Sequence, residues 1–274
     1  MRELFATSRS MIKHVVFGAW TRLLGDEDGR LKVITLTGPA KGMRFRLDLV
    51  GNYEMSYFIG NYEREIVDRL TIFVPPDWVV WDVGTHIGYY TCLFARLVGS
   101  AGQVVAVDAD PRNLVRTRQH VAMNGFANVT FVTAAIGAPD AEVGLVLSEG
   151  TNSHLLGTWI GARQEDYAAP KAREIRTVKC RSLDQLFTDG LAKTPNLIKL
   201  DIDGAEFWAL QYLDTLATTV RPMFLIELHN PECDEAVWRF ASRWDYRIER
   251  FDSGEIFTTA ESVHGTVLLT PRSS

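Results

Sequence analysis

Cysteine is scarce in this 274-residue chain: Cys92, Cys180 and Cys233 are the only three, and none begins a C-x-x-C pair. That count and spacing exclude a disulfide framework and a structural zinc site, and an odd set of separated thiols fits a reducing, cytoplasmic setting. A surplus of positive charge is also missing. With 29 Lys and Arg against 34 Asp and Glu, the formal net charge is −5, which argues against a protein built to hold nucleic acid. No apolar run approaches the roughly 20 residues of a membrane span. The nearest, Met11–Leu24, carries Lys13 and Arg22 and no small-residue cleavage site. It reads as an amphipathic helix packed on the main domain or on a partner, with a peripheral membrane helix as the alternative. No stable membrane insertion is expected, and repeats and low-complexity tracts are absent.

What is present is enough apolar material, 46% of residues, for one large α/β domain with an appendage. Residues 1–75 read as an N-terminal cap of helix, β-hairpin and helix. The hairpin is Leu31–Leu49, turning at Gly38-Pro39-Ala40-Lys41-Gly42. A helical pattern from Tyr62 to Phe73 stops at Pro75-Pro76. Residues 76–274 form the second domain, where apolar strands and helices alternate: strand 78–83, helix 88–98, strand 103–107, helix 111–123, strand 129–133, strand 197–201 and strand 223–228. Asp110 is placed to cap the helix that Pro111 opens. This alternation predicts a mostly parallel sheet covered on both faces. Tyr246–Phe251 and Gly265–Leu269 add two strands around a turn at Asp252-Ser253-Gly254, a C-terminal antiparallel hairpin. Gly144–Glu174 has no clear period and reads as a long loop, a lid facing the substrate.

Chemistry concentrates where strands end. Asp82-Val83-Gly84-Thr85-His86-Ile87-Gly88 links the first strand of the second domain to its helix, where doubly wound sheets bind ligands. Gly84 and Gly88 would let the backbone turn sharply beside a ligand. A dinucleotide site would want G-x-G-x-x-G against its pyrophosphate; here His86 fills the middle position and an acid precedes the first glycine. That arrangement suits the ammonium of S-adenosylmethionine better than a phosphate and disfavours a nicotinamide oxidoreductase. His86 is expected to titrate near neutral pH. Asp108, ending the next strand, stands where a carboxylate binds ribose hydroxyls; its alternative is a turn or cap. Ala134-Ala135 are small enough to flank an adenine.

A central parallel strand should be almost wholly apolar, yet Leu197-Ile198-Lys199-Leu200-Asp201 carries two charges. Strand alternation puts Lys199 and Asp201 on one side, and Glu227 and His229 reach a comparable height from the next strand. Two readings stay open: a buried Lys199–Glu227 pair that orients the strands, or a site where one group deprotonates or orients an acceptor while a carboxylate holds the ligand's ammonium. A divalent cation on Asp201, Asp203 and His229 is chemically allowed but not expected, because no spacing there is diagnostic.

In order, Asn61-Tyr62-Glu63, DVGTHIGYYT (82–91), VVAVDADP (104–111), Asn124-Gly125, Asn128-Val129, Ser182-Leu183-Asp184, IKLDIDGAE (198–206), Arg221-Pro222 and IELH (226–229) resemble the FkbM family of methyltransferases. The resemblance implies a class I methyltransferase fold, a Rossmann-like sheet with an antiparallel C-terminal hairpin, and S-adenosylmethionine as methyl donor. It implies O-methylation of a sugar, glycan or natural-product hydroxyl. Read from their places at the strand ends, Asp82, Gly84, Thr85, His86, Gly88, Asp108, Ala109, Ala135 and Asp201 would bind the donor, and the resemblance adds Glu63, closing over its methionine end. Lys199, Asp201, Glu206 and His229 would form the catalytic face, with no metal. The chain departs from the family at Thr85-His86, where Ala-Asn is usual, at Val107-Asp108-Ala109 for Phe-Glu-Pro, and at Ile202-Asp203 for Val-Glu. The alternatives are N-methylation of a peptide amide and a non-catalytic S-adenosylmethionine-binding protein. The expected partners are the small-molecule or glycan acceptor and no nucleic acid; self-association as a homo-oligomer is compatible with the sequence.

Overall fold

The computed structural model describes residues 25–27, 29–49, 54–148, 153–155 and 172–272. Met11–Leu24 and most of the stretch read as a lid therefore lie outside the described residues. Contacts group the chain into two compact units, 1–73 with 122–125, and 74–121 with 126–274.

In the smaller unit, β1 (Leu31–Ile34) and β2 (Arg44–Leu47) pair antiparallel, Leu31 opposite Leu47. The expected hairpin forms, with Gly38 and Gly42 both at positive φ in its turn. Asn124 locks β2 from outside the hairpin: its side chain accepts from Arg44 N and donates to Arg44 O, each at 2.8 Å. Two short helices follow, α1 (Glu54–Ile59) and α2 (Arg64–Phe73). Gly60 joins them where a side chain could not fit, since a Cβ would lie 2.0 Å from Thr37 O. Among the described residues, no helix is long and apolar enough to cross a membrane.

The larger unit is built on β3 (Val79–Val83), β4 (Gln103–Asp108), β5 (Val129–Thr133), β10 (Leu197–Leu200), β11 (Met223–Glu227), β12 (Tyr246–Arg250) and β13 (Thr266–Pro271). These form one sheet in the order β12-β13-β11-β10-β3-β4-β5. From β11 to β5 every pairing is parallel; β13 runs antiparallel to both its neighbours. The turn at Asp252-Ser253-Gly254 does not lead straight into β13. It folds back so that Ile256 bridges Glu249, and the chain returns only after a 3-10 turn at Ala260–Ser262. The mostly parallel sheet with an antiparallel C-terminal strand pair is thus present, with β13 inserted between β11 and β12.

The strands are buried on both faces, as apolar parallel strands should be: Val80, Trp81, Val104, Val105, Leu197, Ile198, Phe224 and Ile226 are fully enclosed. Crossover helices α3 (Tyr89–Val98), α4 (Pro111–Met123), α6 (Glu206–Gln211) and α7 (Pro231–Trp244), with the shorter α5 (Leu183–Thr188), follow their strands. Asp110 caps α4 by accepting the Arg112 N–H at 2.9 Å, with Pro111 at the first helical position. Two family-like motifs are accounted for by local structure. Ser182 and Gln185 exchange bonds in a capping box, and Asp184 accepts the N–H groups of Asp214, Thr215 and Leu216. Arg221 ties to the carbonyls of Trp244 and Asp245.

The region from Gly144 onward is not simply loop. β6 (Ala135–Ile136), β7 (Glu142–Ser148), β8 (Ser153–Leu155) and β9 (Ala172–Arg181) form a second sheet in the order β6-β9-β7-β8. Its ten-residue strand β9 exposes Ile175 and the Glu174–Arg176 pair, which obscures the alternation a reader would look for.

Candidate active site

Sheet order reverses between β3 and β10: β4 lies on the far side of β3, while β11 lies beyond β10. Ligands bind open α/β sheets at such a switch point. Here the two strand ends are pressed together. Asp201 N donates to Val83 O at 3.1 Å, and a Cβ on Gly84 (φ +85) would lie 1.7 Å from Asp201 O. Gly88 makes room in the same way, its missing Cβ replaced by Thr117 at 2.6 Å. Both glycines are required where the protein approaches itself, and both take the positive φ of the sharp turns expected there.

Lys199 stands opposite Asp82 in the parallel register. Its ammonium bonds Asp201 Oδ2 at 2.8 Å, lies 3.9 Å from Asp82 Oδ1 and sits 4.6 Å from the Tyr90 ring centre. The close partner of Lys199 is Asp201, a neighbour two residues on along one side of the strand, and Glu227 adds its charge to the same ammonium. Burial pulls the Lys199 pKa down, but Asp201 and Asp82 outweigh it and hold the ammonium above its ordinary value. Asp201 is the mirror case: burial pushes it up, and Lys199 with His229 brings it below the usual carboxylate value. Asp82 is fully buried and raised by burial, only partly opposed by Lys199. One of its oxygens takes the Thr91 hydroxyl at 2.5 Å; the other has no hydrogen-bond partner.

The neighbouring strand end completes the arrangement. His229 Nδ1 lies 3.1 Å from Glu206 Oε1, and Nε2 lies 3.7 Å from Asp201 Oδ1 and 4.0 Å from Glu227 Oε1. Burial alone would lower the His229 pKa; Glu206, Asp201 and Glu227 together raise it to about 11. Glu206 is wholly buried and accepts the N–H of Ile202 at 2.8 Å and the Cys233 thiol at 3.0 Å. It therefore positions His229 and the 202–204 turn from behind. Asn230 holds the same turn through Gly204 O at 3.3 Å while capping α7. Burial raises Asp203, on that turn, to about 7. Among the described residues the carboxylate and imidazole groups close enough to share a cation are Asp201, Glu227 and His229, so Glu227 replaces Asp203 in the set suggested by sequence.

Asp108 braces the loop that follows β3. Its carboxylate already accepts the Asp110 N–H at 2.8 Å, the His86 N–H at 2.9 Å, and Thr85 Oγ1 and Asn113 Nδ2 at 3.3 Å. One methylene shorter than glutamate, it turns back on its own loop and organises it. Ala135 is buried with Leu145, Leu147, Cys180 and Ala205, and Ala109 packs against the same cluster. Burial lowers the His86 pKa to about 3, with Arg116 nearby adding to the effect, which corrects the expectation of a near-neutral titration. Glu63 belongs to the smaller unit, where its carbonyl accepts the Val67 N–H at 2.9 Å.

Burial raises Asp108 to about 7 from 3.8, which has a testable consequence. A carboxyl that holds its proton longer in the folded state binds more protons there than when unfolded. Its contribution to stability is therefore full below pH 3.8 and is lost as pH rises through about 7. A carbonyl-carbon NMR titration of Asp108 is expected to show its midpoint near 7. A midpoint at the ordinary aspartate value would show the loop to be open.

A model of the methyltransferase FkbM domain matches residues 82–250. The chain belongs to the FkbM methyltransferase family. An arsenite methyltransferase of Halobacterium salinarum is 36% identical over 76 residues, 27% of this chain and 19% of that protein. The match thus spans well under half of that relative. Among solved structures, an S-adenosylmethionine-dependent O-methyltransferase of Thermotoga maritima aligns at a TM-score of 0.44 and 12% identity, over 79% of this chain and 68% of that one. The precorrin-6y C5,15-methyltransferase of Geobacter metallireducens aligns at 0.43 and 14%, over 76% and 85%. The matched stretch of this FkbM domain begins at Asp82.

The residues at the sheet edge fit the cationic donor that the family implies. Asp82, Asp201, Asp203, Glu206 and Glu227 outnumber Lys199 and His229, and one oxygen of buried Asp82 has no hydrogen-bond partner. A sulfonium and an ammonium are attracted to such a site, and a pyrophosphate is repelled. Sequence reasoning missed Thr91, Tyr90, Asn113 and Asn230. Thr91 carried a signal, a hydroxyl in the first turn of the helix that follows an acid-bearing strand; the other three act across the fold.

Proposed function

We propose that this FkbM-family protein transfers a methyl group from S-adenosylmethionine to a hydroxyl of a small molecule or glycan. One observation carries the reading: an imidazole fixed by a buried glutamate turns its other nitrogen toward two carboxylates beside an acidic, partly desolvated strand edge. The donor supplies an electrophilic methyl on sulfur. What the protein must add is alignment and a place for the proton of the attacking oxygen. Asp82 and Asp201, backed by Lys199, supply negative charge for the donor's cationic end. His229 orients the acceptor oxygen between Asp201 and Glu227, and a carboxylate takes its proton. Glu206 holds the imidazole and Thr91 holds Asp82; both are positioning residues. Gly84, Thr85, His86, Gly88, Asp108 and Ala109 shape the loop against which the donor lies.

Calorimetry with S-adenosylhomocysteine, with NAD as control, tests the donor. Transfer from methyl-labelled S-adenosylmethionine to polyhydroxylated and peptide acceptors tests the chemistry. The expected product is a methyl ether, and His229→Ala is expected to keep homocysteine-analogue binding within a fewfold while transfer falls by about 10²–10⁴. A folded protein that binds no S-adenosylhomocysteine, or one that methylates nitrogen alone, would refute the proposal.

A further inference from the structure

The carboxyl ends of β10 and β11 bring three ligating groups to one point. Asp201 follows β10, Glu227 ends β11 and His229 lies two residues beyond; one ligand atom from each falls within 4.8 Å of the others. His229 Nε2 is 3.7 Å from Asp201 Oδ1 and 4.0 Å from Glu227 Oε1. These gaps are too long for hydrogen bonds. They are wider than the roughly 3 Å between adjacent ligand atoms of an octahedral ion at about 2.1 Å, so the three side chains would draw inward by small rotations on a shared small divalent cation.

The second observation concerns what stands behind those atoms. His229 Nδ1 faces Glu206 at 3.1 Å, and Glu206 is completely buried and anchored to Ile202 N and Cys233. A buried carboxylate on the far ring nitrogen is the outer-shell partner that fixes tautomer and ring orientation in metal-binding histidines; an ion on the near nitrogen takes the place of the proton that the surrounding carboxylates otherwise hold there, which is released to solvent. Asp201 is divided in the same way, with Oδ2 held by Lys199 at 2.8 Å and Oδ1 turned toward His229. On His229 and Asp201 the outer atom is tied down, and their inner atoms converge with a Glu227 carboxylate oxygen. The three side chains are 24%, 37% and 25% exposed, so the point is open to water and to an incoming oxygen on one side.

We propose that Asp201, Glu227 and His229 bind one divalent cation of the Mg²⁺ or Mn²⁺ type, with Glu206 as the positioning residue. Two carboxylates and one imidazole suit such hard to borderline ions, and no thiolate is present to favour a softer one. The purpose rests on the hydroxyl-methylation reading: a cation here would hold the acceptor oxygen and lower its pKa. The existence of the site does not rest on that reading.

The test uses the full chain, freed of metal by chelator and without any methyl donor. Titration with Mn²⁺, followed by the loss of the free-ion electron paramagnetic signal, is expected to show one site per chain that Mg²⁺ displaces. Glu227→Gln, at a partly exposed position, is expected to weaken Mn²⁺ at least tenfold with S-adenosylhomocysteine binding intact. Glu206→Gln is expected to weaken it about 10–100-fold, with circular dichroism confirming that the variant is folded. No stoichiometric Mn²⁺ or Mg²⁺ uptake by the folded protein would overturn the site, as would uptake that Glu227→Gln leaves unchanged. Methyl transfer at full rate in excess chelator would overturn the cation's role and leave hydroxyl methylation standing. Failure to bind S-adenosylhomocysteine beside intact Mn²⁺ binding would do the reverse.

Discussion

Lys199→Met is expected to destabilise the protein by about 3–5 kcal/mol at pH 8, among the largest effects a single substitution can have here. The ammonium is enclosed by Asp82, Asp201 and the Tyr90 ring, and methionine fills nearly the same volume without the charge. What is lost is compensation: Asp82 lies fully inside, with only the Thr91 hydroxyl on one oxygen. The sign of the pH effect follows from its raised pKa. Because burial already favours the protonated acid, lowering the pH neutralises Asp82 and removes the unbalanced charge. The loss should therefore be smaller at pH 5 than at pH 8. Asp82→Asn added to Lys199→Met should recover part of it, since the pair couples. Urea unfolding of the three variants at the two pH values measures this; equal losses at both would show that charge compensation is not what Lys199 provides.

Gly84→Ala is the second large effect, and its cause is steric. A methyl group there would lie 1.7 Å from Asp201 O and 2.8 Å from the carbon that carries it. Neither backbone can retreat easily, because Gly84 N is bonded to Val107 O at 2.9 Å and Asp201 N to Val83 O at 3.1 Å. Left-handed φ costs alanine about 1–2 kcal/mol, and overpacking adds about 1–3, so a loss of about 2–5 kcal/mol is expected. Gly42→Ala is the internal control: its φ is +83, and nothing lies within 4 Å of the added atom. It should show the φ cost alone. In Gly84→Ala, S-adenosylhomocysteine affinity should also fall by at least tenfold, because the relief of the clash displaces Asp201 and Asp82 together. If both alanines cost the same, the strand-end contact contributes nothing.

The parts of this fold that could be read from sequence are those whose cause is local. α4 begins and ends at Pro111 and Met123, and β5 at Val129 and Thr133, where the period and the flanking Asp110 and Asn128 place them. The second sheet could not be read in this way. β7 and β9 are far apart in the chain, their register shifts between Leu147 and Ser148, and β9 is exposed along much of its length. The site shows the same division. Strand alternation places Lys199 beside Asp201, but the packing of Glu206 under His229 depends on the crossing of α6 and α7. Asp108 was visible as an acid at a strand end; that it also braces its own loop depends on where His86 and Asn113 lie in three dimensions.

The position of β13 bears on how the chain acquires its structure. This strand comes late, at Thr266–Pro271, yet it sits inside the sheet, paired to β11 on one side and β12 on the other. During synthesis from the amino end, β11 keeps an unsatisfied edge, and β12 has no sheet to join, until β13 has followed them. Nucleation among β3, β4 and β5 can proceed early, because each pairs with the strand made just before it. Completion waits on contacts of long sequence separation, which are slow to form. The exposed flank of β11 in that interval is the place where a nascent chain of this kind is most open to mispairing.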